Sequence, residues 1–287
     1  MPDSAPHHLS TPSETGAAAG PAPEAWPQTD GSVRIDGSWT SWAGAHGGYV
    51  AALALAAMHD RLAGRTGHPV PVRTVGAHFL APVDQRSLRF EARVLREGRR
   101  TSMSAVTALQ GGDPVLTGSA VFGRGGSGPA YTDLPAPAVP DPEDCPPLAL
   151  PPDLALFASH LEIRPATDAR PLGGGERAEL LAWIRFADRR PLDARTLVVL
   201  ADALPPALFA LWTVPRPVPT AELTVHFTDA VDARPASEWA LVRIRTEHAG
   251  SGWAIENSAL WSTDGRLLAL ARQARAVREG FDAPRAG

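Results

Sequence analysis

Lysine is absent from this chain of 287 residues, and arginine supplies every one of its 27 basic side chains. With Ala, Pro and Gly abundant, that absence points to the codon bias of a GC-rich genome and not to chemistry. There is one cysteine, Cys145, in a proline-rich stretch. A single cysteine excludes an intramolecular disulfide framework and a cysteine-based metal cluster, and it fits a cytoplasmic location. Neither sign of charge dominates: the formal net charge is -4 and no long basic run occurs, so nucleic acid is not favoured as a partner. No apolar run reaches the roughly 20 residues of a membrane span. The N-terminal residues show no basic segment followed by an apolar one, so no signal peptide is expected.

What is present starts at Ala45-His46-Gly47-Gly48-Tyr49, a small-residue turn, followed by the apolar run Val50 to Met58. A helix with almost no polar face must be buried nearly all round. Its first N–H groups lack intrahelical partners and carry the positive end of the helix dipole. Two glycines there let a ligand atom approach the backbone closely. Gly64 and Gly67 are stop signals for this helix, which is expected to run to Leu62.

Residues 1–30 are rich in Pro, Ser, Ala and Gly without periodicity and read as disordered. Val33 to Trp42 reads as a short strand and its exit. After the helix the texture is β: Val72 to Leu80, Ser87 to Arg96, Arg100 to Gln110 and Val115 to Phe122, with a hairpin at Gly111-Gly112-Asp113. One helix with about four antiparallel strands is an α+β layer. A Pro/Gly-rich linker, residues 125–155, separates this unit (31–124) from a second one (156–280) and a tail (281–287). The second unit repeats the plan. His160 to Pro165 and Glu179 to Phe186 read as strands, and Asp193 caps a helix through Ala201 that Pro205-Pro206 interrupts or kinks. Four further runs follow, Leu223 to Phe227, Trp239 to Thr246, Trp253 to Trp261 and Leu267 to Val277, with a hairpin at Asp264-Gly265.

The repeat shows in the residues themselves. His78-Phe79 and Val83-Asp84 recur 148 positions later as His226-Phe227 and Val231-Asp232. Ala108-Leu109 and Asp113 recur 151 positions later as Ala259-Leu260 and Asp264. This is an internal duplication. Polar residues that break its symmetry are candidates for one composite site. The second helix is expected to carry Asp202 among Leu200, Ala201, Ala203 and Leu204, where the first helix has Ala54 or Leu55, and a carboxylate in such company is costly unless partnered or in a cleft. Gln273 shares a face of the last strand with Leu267, Ala269 and Ala271, either inward or towards water, with Phe122 as its counterpart under the 151 offset. Thr220 has Val72 as its counterpart, and Thr224 lies on the same face as Thr220.

Together these fragments resemble the acyl-CoA thioesterase II family, the double hotdog thioesterases. The resemblance runs from Val33 to Arg278. It rests on Gly47-Gly48, His78 to Pro82 and Ala105 to Phe122 in the first half. In the second half it rests on Leu200-Ala201-Asp202, Thr220 to Phe227 and Gln273 to Arg278. It implies a tandem hotdog, two buried helices wrapped by a joined antiparallel sheet, and cofactor-free hydrolysis of acyl-CoA. By resemblance Asp202, Thr220 and Gln273 hold the nucleophilic water, with Thr224 in reserve and no metal. The helix N-terminal amides at Gly47, Gly48 and Tyr49 are then placed to stabilise an oxyanion. The chain departs from the family in having Tyr49 where a glutamine is frequent. His46-Gly47-Gly48 instead resembles the single-hotdog phenylacetyl-CoA type, whose carboxylate position is here Leu55.

Two other functions fit the same fold. One is a non-catalytic acyl-CoA or acyl-chain binding protein. The other is a hotdog hydratase or dehydratase, which needs a histidine paired with a carboxylate; His46, His78 and His226 have no obvious acidic partner in sequence. A homo-oligomer is compatible with a duplicated chain.

Overall fold

The computed structural model describes residues 32–148, 150, 155–232 and 237–279. The disordered segment expected over 1–30 and the tail over 281–287 lie outside the described residues. In the first repeat β1 (Ser32–Arg34) and the short pair β2 (Thr40–Ser41) and β3 (Gly44–Ala45) lead into α1 (Gly47–Thr66). Four long strands follow, β4 (Val72–Phe79), β5 (Ser87–Arg96), β6 (Thr101–Gln110) and β7 (Asp113–Gly123). The second repeat supplies β8 (Leu161–Pro165), β9 (Glu179–Phe186) and α2 (Ala194–Ala201). It closes with β10 (Thr220–Phe227), β11 (Ala240–Gly250), β12 (Trp253–Ser262) and β13 (Leu267–Ala276).

Among the described residues one antiparallel sheet of 11 strands runs β1-β5-β6-β7-β4-β10-β13-β12-β11-β9-β8. The repeats meet edge to edge at β4 and β10, where Gly76 lies opposite Thr224 and Val75 opposite Val225. This is an α+β double hotdog, with both helices on the inner face.

Every residue of α1 from Gly48 to Met58 is buried, as a helix without a polar face requires. It continues past Leu62 to Thr66, and Gly67 ends it at φ 74°, its N–H donating to Ala63 O at 2.9 Å. A capping box of Asp193 and Thr196 starts α2. Against expectation, α2 neither contains Asp202 nor reaches Pro205-Pro206. It stops at Ala201, and Asp202 is its C-cap. Continuing the helix would need N–H donors at 205 and 206 for the carbonyls of Ala201 and Asp202, and proline has none. Those two carbonyls find side-chain donors instead, and these build the site.

The 125–155 linker includes a strap. Leu134, Ala136, Val139 and Cys145 pack on Trp183, Trp239 and Trp261 across the outer face of the second repeat. Trp183 Nε1 donates to Pro140 O at 2.9 Å and Trp261 Nε1 to Leu134 O at 3.0 Å.

Both repeats carry a register irregularity at matching places, between Val72 and Thr74 and between Thr220 and Glu222. The irregularity breaks the alternation of faces. Thr220 therefore points inward, while Thr224 stands on the outer face with its hydroxyl donating to Glu222, so the shared face expected for the two threonines does not exist. The registers also correct a pairing of the repeats. Val72 faces Phe122 where Thr220 faces Arg275, and Val75 faces Ala120 where Leu223 faces Gln273. Ser104 faces Ala120 where Glu256 faces Gln273, so the offset is 152 along β6 and β12 and 153 along β7 and β13, and the 151 offset holds on neither pair of strands. Phe122 corresponds to Arg275, and Gln273 corresponds to Ala120.

Candidate active site

The N-terminus of α1 from the first repeat abuts the C-terminus of α2 from the second. Asp202 lies between them. Its Oδ2 accepts a hydrogen bond from the Gly48 N–H at 2.8 Å, so the carboxylate sits on the positive end of α1. Both glycines are needed for this approach. A Cβ on Gly47 would lie 3.0 Å from Asp202 Oδ2, and one on Gly48 2.9 Å from Asp202 Cβ and 3.0 Å from Val198 O.

His46 caps α1. Its Nδ1 accepts from the Tyr49 N–H at 3.1 Å, and Nε2 lies 2.9 Å from the Asp202 backbone oxygen. An accepting Nδ1 leaves the proton on Nε2, which donates to that oxygen. Burial holds the imidazole below its ordinary pKa, against the opposing pull of Asp202. His46 is thus neutral, and its 3.6 Å approach to Asp202 Oδ2 is a dipolar contact and not an ion pair.

On the other side stands β13. Gln273 Nε2 donates to Ala201 O at 3.3 Å, and its Oε1 accepts from the Thr220 hydroxyl at 3.1 Å. Two residues on, Arg275 reaches Asp202 Oδ1 with Nη2 at 3.2 Å and Thr220 Oγ1 with Nη1 at 2.8 Å. Its Nε forms an ion pair with Glu256 Oε2 at 2.5 Å. The Arg275 and Asp202 side chains are only 6% and 7% exposed.

A cavity of about 660 Å³ opens on this network. Asp202, Thr220, Arg275, His46 and Gly47 line its polar end, its walls are mostly apolar, with Val50, Phe79, Phe157 and Phe209, and Arg170, Arg216 and Arg278 also line it. Such a polar focus in an apolar cleft suits a ligand with a long apolar part. Among the described residues no group of three or more His, Cys, Asp or Glu side chains is placed to hold a metal ion.

Of the residues singled out in the sequence, Asp202, Thr220, Gln273, Gly47 and Gly48 are brought together. Gln273 is buried behind Thr220 and does not line the cavity, and the Gly48 amide is already occupied by Asp202. Tyr49 stacks on Trp39, with ring centroids 4.2 Å apart, and lies away from the cavity. Thr224 also lies away from it. Sequence reasoning missed Arg275, Glu256 and the pairing of His46 with Asp202. With the repeats matched as the registers now match them, an arginine in the place of buried Phe122 would have been the signal.

Comparisons with known proteins identify the fold and the family. An acyl-CoA thioesterase N-terminal domain family matches residues 35–123, and an acyl-CoA thioesterase C-terminal domain family matches residues 142–277. Among solved structures, a hot dog fold protein of unknown function from Alicyclobacillus acidocaldarius has 24% identity and a TM-score of 0.80, over 87% of this chain and 93% of that one. A protein assigned as a thioesterase II from Thermobifida fusca has 25% identity and a TM-score of 0.73, over 86% of this chain and 92% of that one. An acyl-CoA thioesterase II from Mycobacterium marinum shares the fold at 23% identity and a TM-score of 0.62, over 81% and 88% of the two chains. No curated protein matches the chain. With two thioesterase domains in tandem over most of its length, the chain belongs to the acyl-CoA thioesterase II family and is an acyl-CoA thioester hydrolase.

Proposed function

We propose that this chain hydrolyses its acyl-CoA substrate at Asp202, with Thr220 and Gln273 as its partners. The observation that carries the reading is the seat of Asp202, a buried carboxylate held at 2.8 Å on the Gly48 amide and facing an apolar cavity. A carboxylate offers about four lone-pair sites. Two are taken, by Gly48 and Arg275, which leaves capacity to accept from a water beside the thioester carbonyl.

In the proposed reaction Asp202 takes a proton as that water attacks the carbonyl carbon. The new oxyanion forms near the Gly47 amide at the positive end of α1. Collapse breaks the carbon–sulfur bond, and the departing thiolate receives the proton from Asp202, giving free acid and CoA. The Thr220 hydroxyl, oriented by Gln273 behind it, fixes the water. Gln273 acts through Thr220 and through its bond to Ala201 O, which secures the end of α2.

The approach of His46 to Asp202 supplies the histidine–carboxylate pair that a hydratase would need. Both of its nitrogens are committed, however, one to the Tyr49 amide and one to the Asp202 backbone oxygen. Neither is left to move a carbon-bound proton.

A series of acyl-CoA thioesters assayed with a thiol-reactive dye tests the assignment. Asp202→Asn is expected to lower kcat at least about 100-fold while acyl-CoA still binds. Hydrolysis that continues unchanged in Asp202→Asn would remove Asp202 from the mechanism.

A further inference from the structure

We infer that Arg275 is a positioning residue for hydrolysis, its guanidinium setting the placement of Asp202 relative to Thr220. This rests on the reading of Asp202 as the reacting carboxylate. A guanidinium is a rigid planar fork, and here its three nitrogens go to three different groups. Nη2 meets Asp202 Oδ1 at 3.2 Å, Nη1 meets Thr220 Oγ1 at 2.8 Å, and Nε pairs with Glu256 Oε2 at 2.5 Å. Glu256 is anchored in turn. Its other oxygen accepts from the Ala207 N–H at 2.7 Å and from the Thr246 hydroxyl at 2.9 Å. Asp202 lies at the end of a helix of about two turns, and Thr220 lies at a break in strand register. Arg275 ties the end of that helix to that strand, and both to Glu256 on the next strand of the sheet.

The fold does not need this cluster. A buried set of ions is weak as a source of stability, because desolvation offsets the Coulomb attraction. The first repeat shows the alternative directly. It builds the same strands with Phe122 where the second has Arg275, Val72 for Thr220 and Ser104 for Glu256. Those three positions in the first repeat are buried. The charged set occurs in the one repeat that carries Asp202, and the guanidinium joins the two groups whose geometry hydrolysis depends on.

The charged or titratable groups facing Asp202 are Arg275 from β13 and His46 from the start of α1, with Glu256 from β12 beyond the guanidinium. Arg275→Lys keeps one cation between Asp202 and Glu256, so the buried charge is unchanged. An ammonium on a flexible stem cannot hold three groups in one plane. The expected result is a fall in kcat of at least about tenfold with KM changed less than about threefold, in a protein whose melting midpoint stays within a few degrees. A kcat within twofold of the parent overturns the inference, and so does a rise in KM with kcat kept, which would make Arg275 a substrate contact. If Arg275→Lys does not fold, the charge-balanced Arg275→Met/Glu256→Gln gives the same readout, with a tenfold fall expected and a retained kcat overturning. Asp202→Asn separates the two levels. If it leaves turnover intact, the assignment of Asp202 fails. If it abolishes turnover while Arg275→Lys is silent, only the positioning role fails.

Discussion

Gly48 and Gly64 lie in the same helix and answer opposite questions. A methyl group on Gly48 would meet Asp202 Cβ at 2.9 Å and the backbone oxygen of Val198 at 3.0 Å, neither of which is the free end of a flexible chain. A methyl on Gly64 would meet nothing within 4 Å. Gly48→Ala is therefore expected to cost about 1–3 kcal/mol of stability and to lower kcat, because α1 and α2 must separate where Asp202 is held. Gly64→Ala is expected to gain about 0.5–1 kcal/mol by removing helix-interior glycine entropy, with kcat unchanged. Urea unfolding of the two variants beside the parent checks both signs. At this scale the sequence was informative where chemistry clashed with its surroundings. Asp202 stood out as an acid among apolar residues, and Gly47-Gly48 as small residues at a helix start. His46 did not, because its partner lies 156 residues away, a distance that local reading cannot span.

The junction of α1 and α2 shows what elements add. The positive end of one helix meets the negative end of the other, and the carbonyls that Pro205 and Pro206 leave unserved are taken by Gln273, Ser258 and His46. His46 serves as cap and clamp only while it is neutral. Burial lowers its pKa from the ordinary 6.5, so below that pH the unfolded chain binds a proton that the folded one refuses. Stability attributable to His46 is fully present above about pH 6.5 and is lost as pH falls from there towards the lowered folded value. His59, also lowered first by burial, has the same sign, whereas Glu162 and Asp188 titrate from 4.5 and 3.8 downward, outside this window. Between pH 7.5 and 5.5 the unfolding free energy is expected to drop, by up to about 1.4 kcal/mol for His46. His46→Asn keeps a good N-cap and should shrink that drop; a difference of the same size in the variant would show that His46 does not carry it. Elements were legible where hydrophobic period and turn residues agreed, as in β5 and at Gly111-Gly112. The end of α2 was misplaced because two prolines mark where a helix cannot continue and not where it stops. Arg275 is hidden because the 151 spacing of Ala108-Leu109 and Asp113 differs from the registers, 152 along β6 and β12 and 153 along β7 and β13, and so sets Gln273 against the wrong residue of the first repeat.

The duplication itself was readable, since a few residues kept a constant spacing, but which ends of the two units cooperate was not. That depends on β4 pairing with β10, a contact between strands far apart in sequence. The pairing makes one sheet, and one apolar core runs from Val33 in the first repeat to Ala271 in the second. The site is divided in the same way: the amide and the histidine come from one repeat, and the carboxylate, hydroxyl, amide side chain and guanidinium from the other. Neither repeat can open at the seam without exposing core and dismantling the site. The protein is therefore expected to unfold in a single calorimetric transition with equal van't Hoff and calorimetric enthalpies. A non-hydrolysable acyl-CoA thioether that binds across the seam should move that one transition upward as a whole. Repeats that unfolded independently would instead give two transitions, of which the ligand, touching both halves, would raise the first to be lost. Scanning calorimetry with and without the thioether distinguishes the cases, and a split transition in the free protein would mean that the β4–β10 seam is weaker than the continuous sheet and shared core require.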